Sequence, residues 1–142
     1  MKNKTEYVTG KNATGGYKRG WNWHYIFSDK TLEDGTRYTV VSERVFRVSA
    51  CGTDLIVSGF YGGHDYENAA AGSIEKAFRD FFCDANENGV RVKTIRESLY
   101  FDAWLIDAPI DSEIVKAFTA ALAAINRVSV KVYGPTVEKK EE

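Results

Sequence analysis

The residues of this chain that could do chemistry are few: two histidines, two cysteines and a scatter of carboxylates. His64 and Asp65 follow Gly62-Gly63 in a glycine-rich stretch between a strand pattern and a helix pattern. Backbone amides at a helix start can hold an anionic group there, and an imidazole beside it can assist. The spacing matches neither G-x-G-x-x-G nor a Walker A loop, so a phosphate cradle of either known kind is not specified. His24 sits in Trp-Asn-Trp-His-Tyr-Ile-Phe-Ser, and Asp102 alternates with Trp104 in Leu-Tyr-Phe-Asp-Ala-Trp-Leu-Ile. A histidine beside a carboxylate is the minimum for general acid–base work, so an enzyme reading rests on His64, Asp65, His24 and Asp102, as a small hydrolase or nucleotide-processing activity. Cys83 falls near the C-terminal end of a helix, where the dipole disfavours a thiolate. Cys51 lies at a strand end, where it could meet a histidine across a sheet. These four residues make no compact zinc pattern, and neither a metal nor a cofactor is expected.

Two short segments resemble known binding motifs. Asp84-Ala85-Asn86-Glu87-Asn88-Gly89 resembles the opening of a calcium-binding EF-hand loop, which needs oxygen ligands at alternate positions and a bidentate Glu at position 12. Position 12 here is Ile95, so a helix end closed by Asn-Gly is the better reading. Lys18-Arg19-Gly20-Trp21-Asn22-Trp23-His24-Tyr25 resembles the base-stacking strand of an RNA-recognition motif. Asn22 and His24 stand where that motif wants glycine and apolar residues, and the element order is not βαββαβ. Trp21, Trp23 and Tyr25 form either one face of the core or an exposed ring patch. In the second case Lys18, Arg19, Trp21, Trp23, Tyr25, Arg44 and Arg47 make the candidate binding surface, since aromatic and Arg residues are favoured at interfaces.

The elements that position these residues follow from hydrophobic period. Trp21 to Ser28 alternates, with Trp21, Trp23, Tyr25 and Phe27 on one face and Asn22, His24, Ile26 and Ser28 on the other. After turn chemistry ending in Asp34-Gly35, Tyr38 to Val41, Val45 to Ala50 and Leu55 to Tyr61 read as strands of an N-terminal meander. The period then changes. Ile74, Ala77, Phe78, Phe81, Phe82 and Ala85 form a helical stripe, with Ser73 as its expected N-cap and Asn88-Gly89 as its stop. Val90 to Ile95 and Leu99 to Ile106 read as strands. A second helix, capped by Asp111 or Ser112, carries Ile114, Phe118, Ala121, Leu122 and Ile125, and Arg127 to Tyr133 closes as a strand with alternating valines. Runs of strands with two helices point to an α+β domain: an antiparallel sheet of about five to six strands with both amphipathic helices on one face.

At 142 residues the chain suits one domain. Residues 1–20, with Lys2, Lys4, Lys11, Lys18 and Arg19 against Glu6, read as a flexible basic arm or a weak edge strand. Residues 21–134 make the domain, and 135–142 a charged tail. A formal charge of −1 argues against a protein that grips duplex nucleic acid through many phosphates. No secretory h-region and no long apolar run are present, which places the expectation in the cytoplasm and away from membranes. Both cysteines are expected as free thiols in or near the core. The function expected is a non-catalytic binding or inhibitory protein, a small bacterial or phage accessory factor acting on a protein partner or small ligand, with a homodimer compatible with its size. The alternatives are the His/Asp enzyme and a single-stranded nucleic-acid module using the basic arm and the Trp strand.

Overall fold

The computed structural model describes residues 4–9, 20–48, 54–56, 69–97 and 102–135. They form seven strands, β1 (Lys4–Thr9), β2 (Gly20–Thr31), β3 (Arg37–Val48), β4 (Asp54–Ile56), β5 (Val92–Glu97), β6 (Asp102–Ile106) and β7 (Val128–Pro135), and two helices, α1 (Ala69–Glu87) and α2 (Glu113–Ala123). The fold is α+β. The strands join in one sheet of order β1-β7-β2-β3-β6-β5, with β4 paired to β3.

The sheet is mixed, which corrects the expectation of a purely antiparallel one: β2 and β7 run parallel. The reason lies in the connection. β6 is antiparallel to β3, and β3 is antiparallel to β2, so β6 runs in the direction of β2. A helical crossover brings the chain back to the end of the sheet at which β6 began, so β7 after α2 runs the same way and enters beside β2 as its parallel neighbour. Its other side takes β1, so Lys4–Thr9 is an edge strand rather than an arm.

β2 and β3 form a long hairpin from Gly20↔Val48 to Thr31↔Arg37. Its turn is set by Asp34-Gly35: Gly35 adopts φ +92°, its amide donates to the Leu32 carbonyl, and the Asp34 carboxylate accepts the Thr36 amide at 2.9 Å. The Thr36 bond holds the Asp34 carboxyl below the usual carboxylate range. β3 is continuous through Ser42-Glu43-Arg44, where the sequence suggests a break between two strands. Hairpin register carries these polar residues along, each facing the side that alternation assigns it.

α1 starts four residues before Ser73, the expected cap, because Ala69-Ala70-Ala71 are strong helix formers that extend the first turns. It ends as expected: Asn88 Nδ2 donates to the Asp84 carbonyl at 2.8 Å, and Gly89 takes φ +72°. Asp84 to Glu87 therefore belong to the helix, so no EF-hand loop exists here. α2 is entered through extended Ser112, whose hydroxyl donates to the Pro109 carbonyl at 2.6 Å, and Glu113 occupies the positive first turn.

Both helices pack on one face of the sheet. Ile74, Ala77, Phe81 and Ala85 of α1 and Val115, Phe118 and Leu122 of α2 cluster with Trp23, Tyr25, Phe27, Val41, Ile106, Val128 and Val130. Phe118 is the hub: it stacks on Phe81 with ring centroids 4.1 Å apart, and meets Phe78 at 5.0 Å and Phe27 at 5.6 Å edge-on. Phe82 lies at the rim, 40% exposed, where the helix stripe turns away from the sheet.

Candidate functional site

Strand alternation divides the polar residues between two faces. On the helix-covered face, Trp23 is 1% exposed and Tyr25 is fully buried, so neither is part of an exposed ring patch and the core reading holds for both. The expected binding surface loses these two residues because two helices lie over them. Tyr25 donates its hydroxyl to the carboxylate of Glu43, the residue directly opposite it on β3, and Glu43 is also fully buried. A carboxylate sent into the core by strand register is stabilised there by a donor of fixed position. The sequence offers a signal for it, since Thr39, Val41 and Glu43 alternate on one face, but only once β3 is known to be continuous.

The opposite face carries the more chemically varied group. His24 on β2 stands in register with Arg44 on β3 and with Ser129 on β7. The His24 Nδ1 and Ser129 Oγ are 2.8 Å apart. Lys131, two residues beyond Ser129 and therefore on the same face, is opposite Ile26, and Tyr133 is opposite Ser28. Adjacent strands lie roughly 4.8 Å apart, so Arg44, His24 and Ser129 span about 10 Å across three strands. Asn22 and Ser129 are buried, His24 and Lys131 are half-buried, and Arg44 is exposed. The group thus has a floor of neutral hydrogen-bonding groups and a cationic rim.

The electrostatics fit that description. Burial depresses the His24 pKa below its ordinary value, and the positive charges of Lys131 and Arg44 depress it further. The imidazole is accordingly neutral near neutral pH, and an anion placed beside it would offset both cations and favour its protonation.

Among the described residues, the fold sets two of the sequence-derived candidates, His24 and Arg44, opposite each other on this face. In strand register Asp102 aligns with Glu43 of β3, and His24 with Arg44. For Trp21, Arg47 and Asp102 the strand positions are described and the side chains are not. His64, Asp65, Lys18, Arg19 and Cys51 lie outside the described residues. Cys83 is a free thiol and exposed, not in the core as expected, because it follows Phe82 off the apolar stripe.

Ser129, Lys131 and Asn22 were not legible as site residues. The alternating Val128, Val130 and Val132 imply that Ser129 and Lys131 share the other face, but sequence does not say that β7 lies beside β2. Among the described residues, two clefts occur near the β5 edge. One of about 410 Å³ is lined by Phe82, Arg91, Thr94 and Trp104, and one of about 350 Å³ by Tyr38, Lys93, Leu105 and Asp107. Neither contains a residue of the His24 group. Among the described residues no three His, Cys, Asp or Glu side chains converge as a metal site, and no helix is long and apolar enough to cross a membrane. Comparison with protein-family models, with curated proteins and with solved structures found no match.

Proposed function

We propose that this chain is a non-catalytic binding protein whose binding surface is the face of the sheet opposite α1 and α2, centred on His24. The observation that carries the reading is the row Arg44–His24–Ser129 with Lys131 beside it: charge and hydrogen-bonding groups gathered from three strands on one face. Such a row suits recognition of an anionic surface or ligand, since opposite charge supplies orientation and encounter rate together.

A hydrolytic reading has one observation in its favour, the Ser129–His24 hydrogen bond, which resembles a nucleophile and its base. Two facts weigh against it. Ser129 is only 2% exposed, and burial together with nearby cations makes His24 a weaker base rather than a stronger one. The single-stranded nucleic-acid reading loses its stacking rings with the burial of Trp23 and Tyr25.

The test compares wild type with the Arg44→Glu, Lys131→Glu double variant and with Ser129→Ala. Immobilised protein is exposed to cell extract, and retained molecules are identified by mass spectrometry; turnover is followed on chromogenic esters and phosphate esters. The binding reading expects retained species that the double variant loses, with no turnover abolished by Ser129→Ala. Turnover by wild type that Ser129→Ala removes would replace it with the hydrolase reading.

A further inference from the structure

A second site lies on the helix-covered side of the sheet, apart from the His24 row. We infer that the cleft of about 410 Å³ between the C-terminal half of α1 and the β5–β6 edge binds a small planar aromatic molecule that carries a carboxylate.

The cleft originates in the sequence of α1. The apolar stripe that carries Phe78, Phe81 and Phe82 narrows at Ala85, and the turn that follows leads the chain to Val90, whose amide donates to the Ala85 carbonyl at 2.8 Å. The bulk missing at Ala85 leaves room above β5 and β6, where Thr94 and Trp104 stand opposite each other in register. Phe82 and Trp104 line the space, and Phe78 joins them, its ring centroid 5.8 Å from that of Phe82 and 4.9 Å from that of Trp104. Phe82 is 40% exposed and Trp104 half-buried, so ring surface is open to a ligand. A cleft of this volume falls within the range of small-molecule sites, and aromatic walls favour a flat ring in offset or edge contact.

Charge narrows the class further. Of the residues that line the cleft, Arg91 alone is charged; it is exposed and makes no ion pair among the described residues. A guanidinium meets a planar carboxylate through two parallel N–H···O bonds. Asn86 and Thr94, also exposed, add neutral donors and acceptors. A cationic ligand finds no counter-charge in this lining, and a neutral ring leaves Arg91 unused.

The β5 edge argues for a small molecule over an added strand. β5 ends the sheet order, but its register with β6 shifts between Thr94 and Arg96, and Arg91 and Lys93 stand exposed at its start. A bulged edge with exposed cations is a poor template for pairing with a peptide or a second copy.

The experiment maps amide and indole N–H shifts of the intact protein while indole-3-carboxylate is added, with indole, tryptamine and acetate as parallel arms. The expected result is a saturable shift at Asn86, Arg91, Thr94 and the Trp104 indole N–H, with a Kd on the order of 1 mM. Indole should bind about tenfold more weakly, and tryptamine and acetate should leave these signals in place. Arg91→Gln should weaken indole-3-carboxylate about tenfold and leave indole unchanged. Phe82→Ala should weaken both about fivefold. Arg91 also borders the neighbouring cleft, so Lys93→Gln, which lines that cleft and not this one, is the control and should change neither.

Cleft signals that stay in place at indole-3-carboxylate concentrations well above that Kd overturn the inference, on the wild-type protein alone. Indole or tryptamine binding as tightly as indole-3-carboxylate overturns the carboxylate assignment, and acetate doing so overturns the ring assignment. An effect of Lys93→Gln equal to that of Arg91→Gln moves the site to the neighbouring cleft and overturns this one. Shifts along β5 that grow with protein concentration alone make a second copy the occupant and overturn the small-molecule reading.

Discussion

Replacing Tyr25 by Phe removes a buried hydroxyl and keeps the ring. The ring remains, with its tilted contact to Phe78 at 5.7 Å, and only the hydroxyl that donates to Glu43 is removed. Both residues are fully buried, so water does not substitute freely for the lost donor. A hydrogen bond to a buried carboxylate contributes about 1.5–3 kcal/mol, and 2 kcal/mol is a fair central figure. The unfolding entropy of a chain of 142 residues, at roughly 2.1 cal/mol/K per residue, is about 0.3 kcal/mol/K near the midpoint, so the expected fall in Tm is about 7 °C. Differential scanning calorimetry at neutral pH reads it directly. Glu43→Gln, which keeps an acceptor of the same shape, should couple to Tyr25→Phe in a double-mutant cycle by about 1 kcal/mol. A Tyr25→Phe protein whose Tm falls by less than about 2 °C would refute the idea that this bond holds the carboxylate in the core.

Other perturbations have equally definite outcomes. Phe118→Ala removes the ring on which Phe81, Phe78 and Phe27 converge and should cost about 3–5 kcal/mol, visible as a large loss of midpoint in urea unfolding; a loss below about 1 kcal/mol would mean that the hub is misplaced. Gly35→Ala forces a side chain into φ +92° and should cost about 1–3 kcal/mol although nothing lies within 4 Å of the added carbon. His24 has its folded-state pKa below its unfolded value of about 6.5, so the unfolded chain binds the extra proton first. Wild type is therefore expected to lose stability as pH falls from about 6.5 through the lowered folded value, and His24→Gln to be less acid-sensitive over that window. Equal acid sensitivity of the two proteins in thermal melts would contradict the burial and charge assigned to His24.

Much of this architecture is legible in the chain itself, and the parts that are not share a cause. Local period reveals β2 and both helices because each alternation or stripe is written in consecutive residues. Ser42-Glu43-Arg44 hides the continuity of β3, since a buried Glu breaks an apolar pattern although it obeys the alternation of the strand. The site is harder still. His24 can be singled out as a rare titratable residue, but its partner Ser129 lies 105 residues away and becomes a neighbour only because β7 inserts between β1 and β2. That placement is a property of the crossover through α2, which no spacing between His24 and Ser129 encodes. Trp23 and Tyr25 show the complementary ambiguity: an aromatic strand face reads the same whether it meets helices or solvent, and here it meets helices.

The measurement that bears most directly on the proposed surface is a residue-resolved map of amide NMR shifts on adding inorganic phosphate, as a plain anion, to the intact protein. The account predicts that the perturbed amides cluster at His24, Arg44, Ser129 and Lys131 and that those of α1 and α2 stay in place. Shifts confined to the cleft lined by Phe82, Arg91 and Trp104, or to the helices, would contradict it.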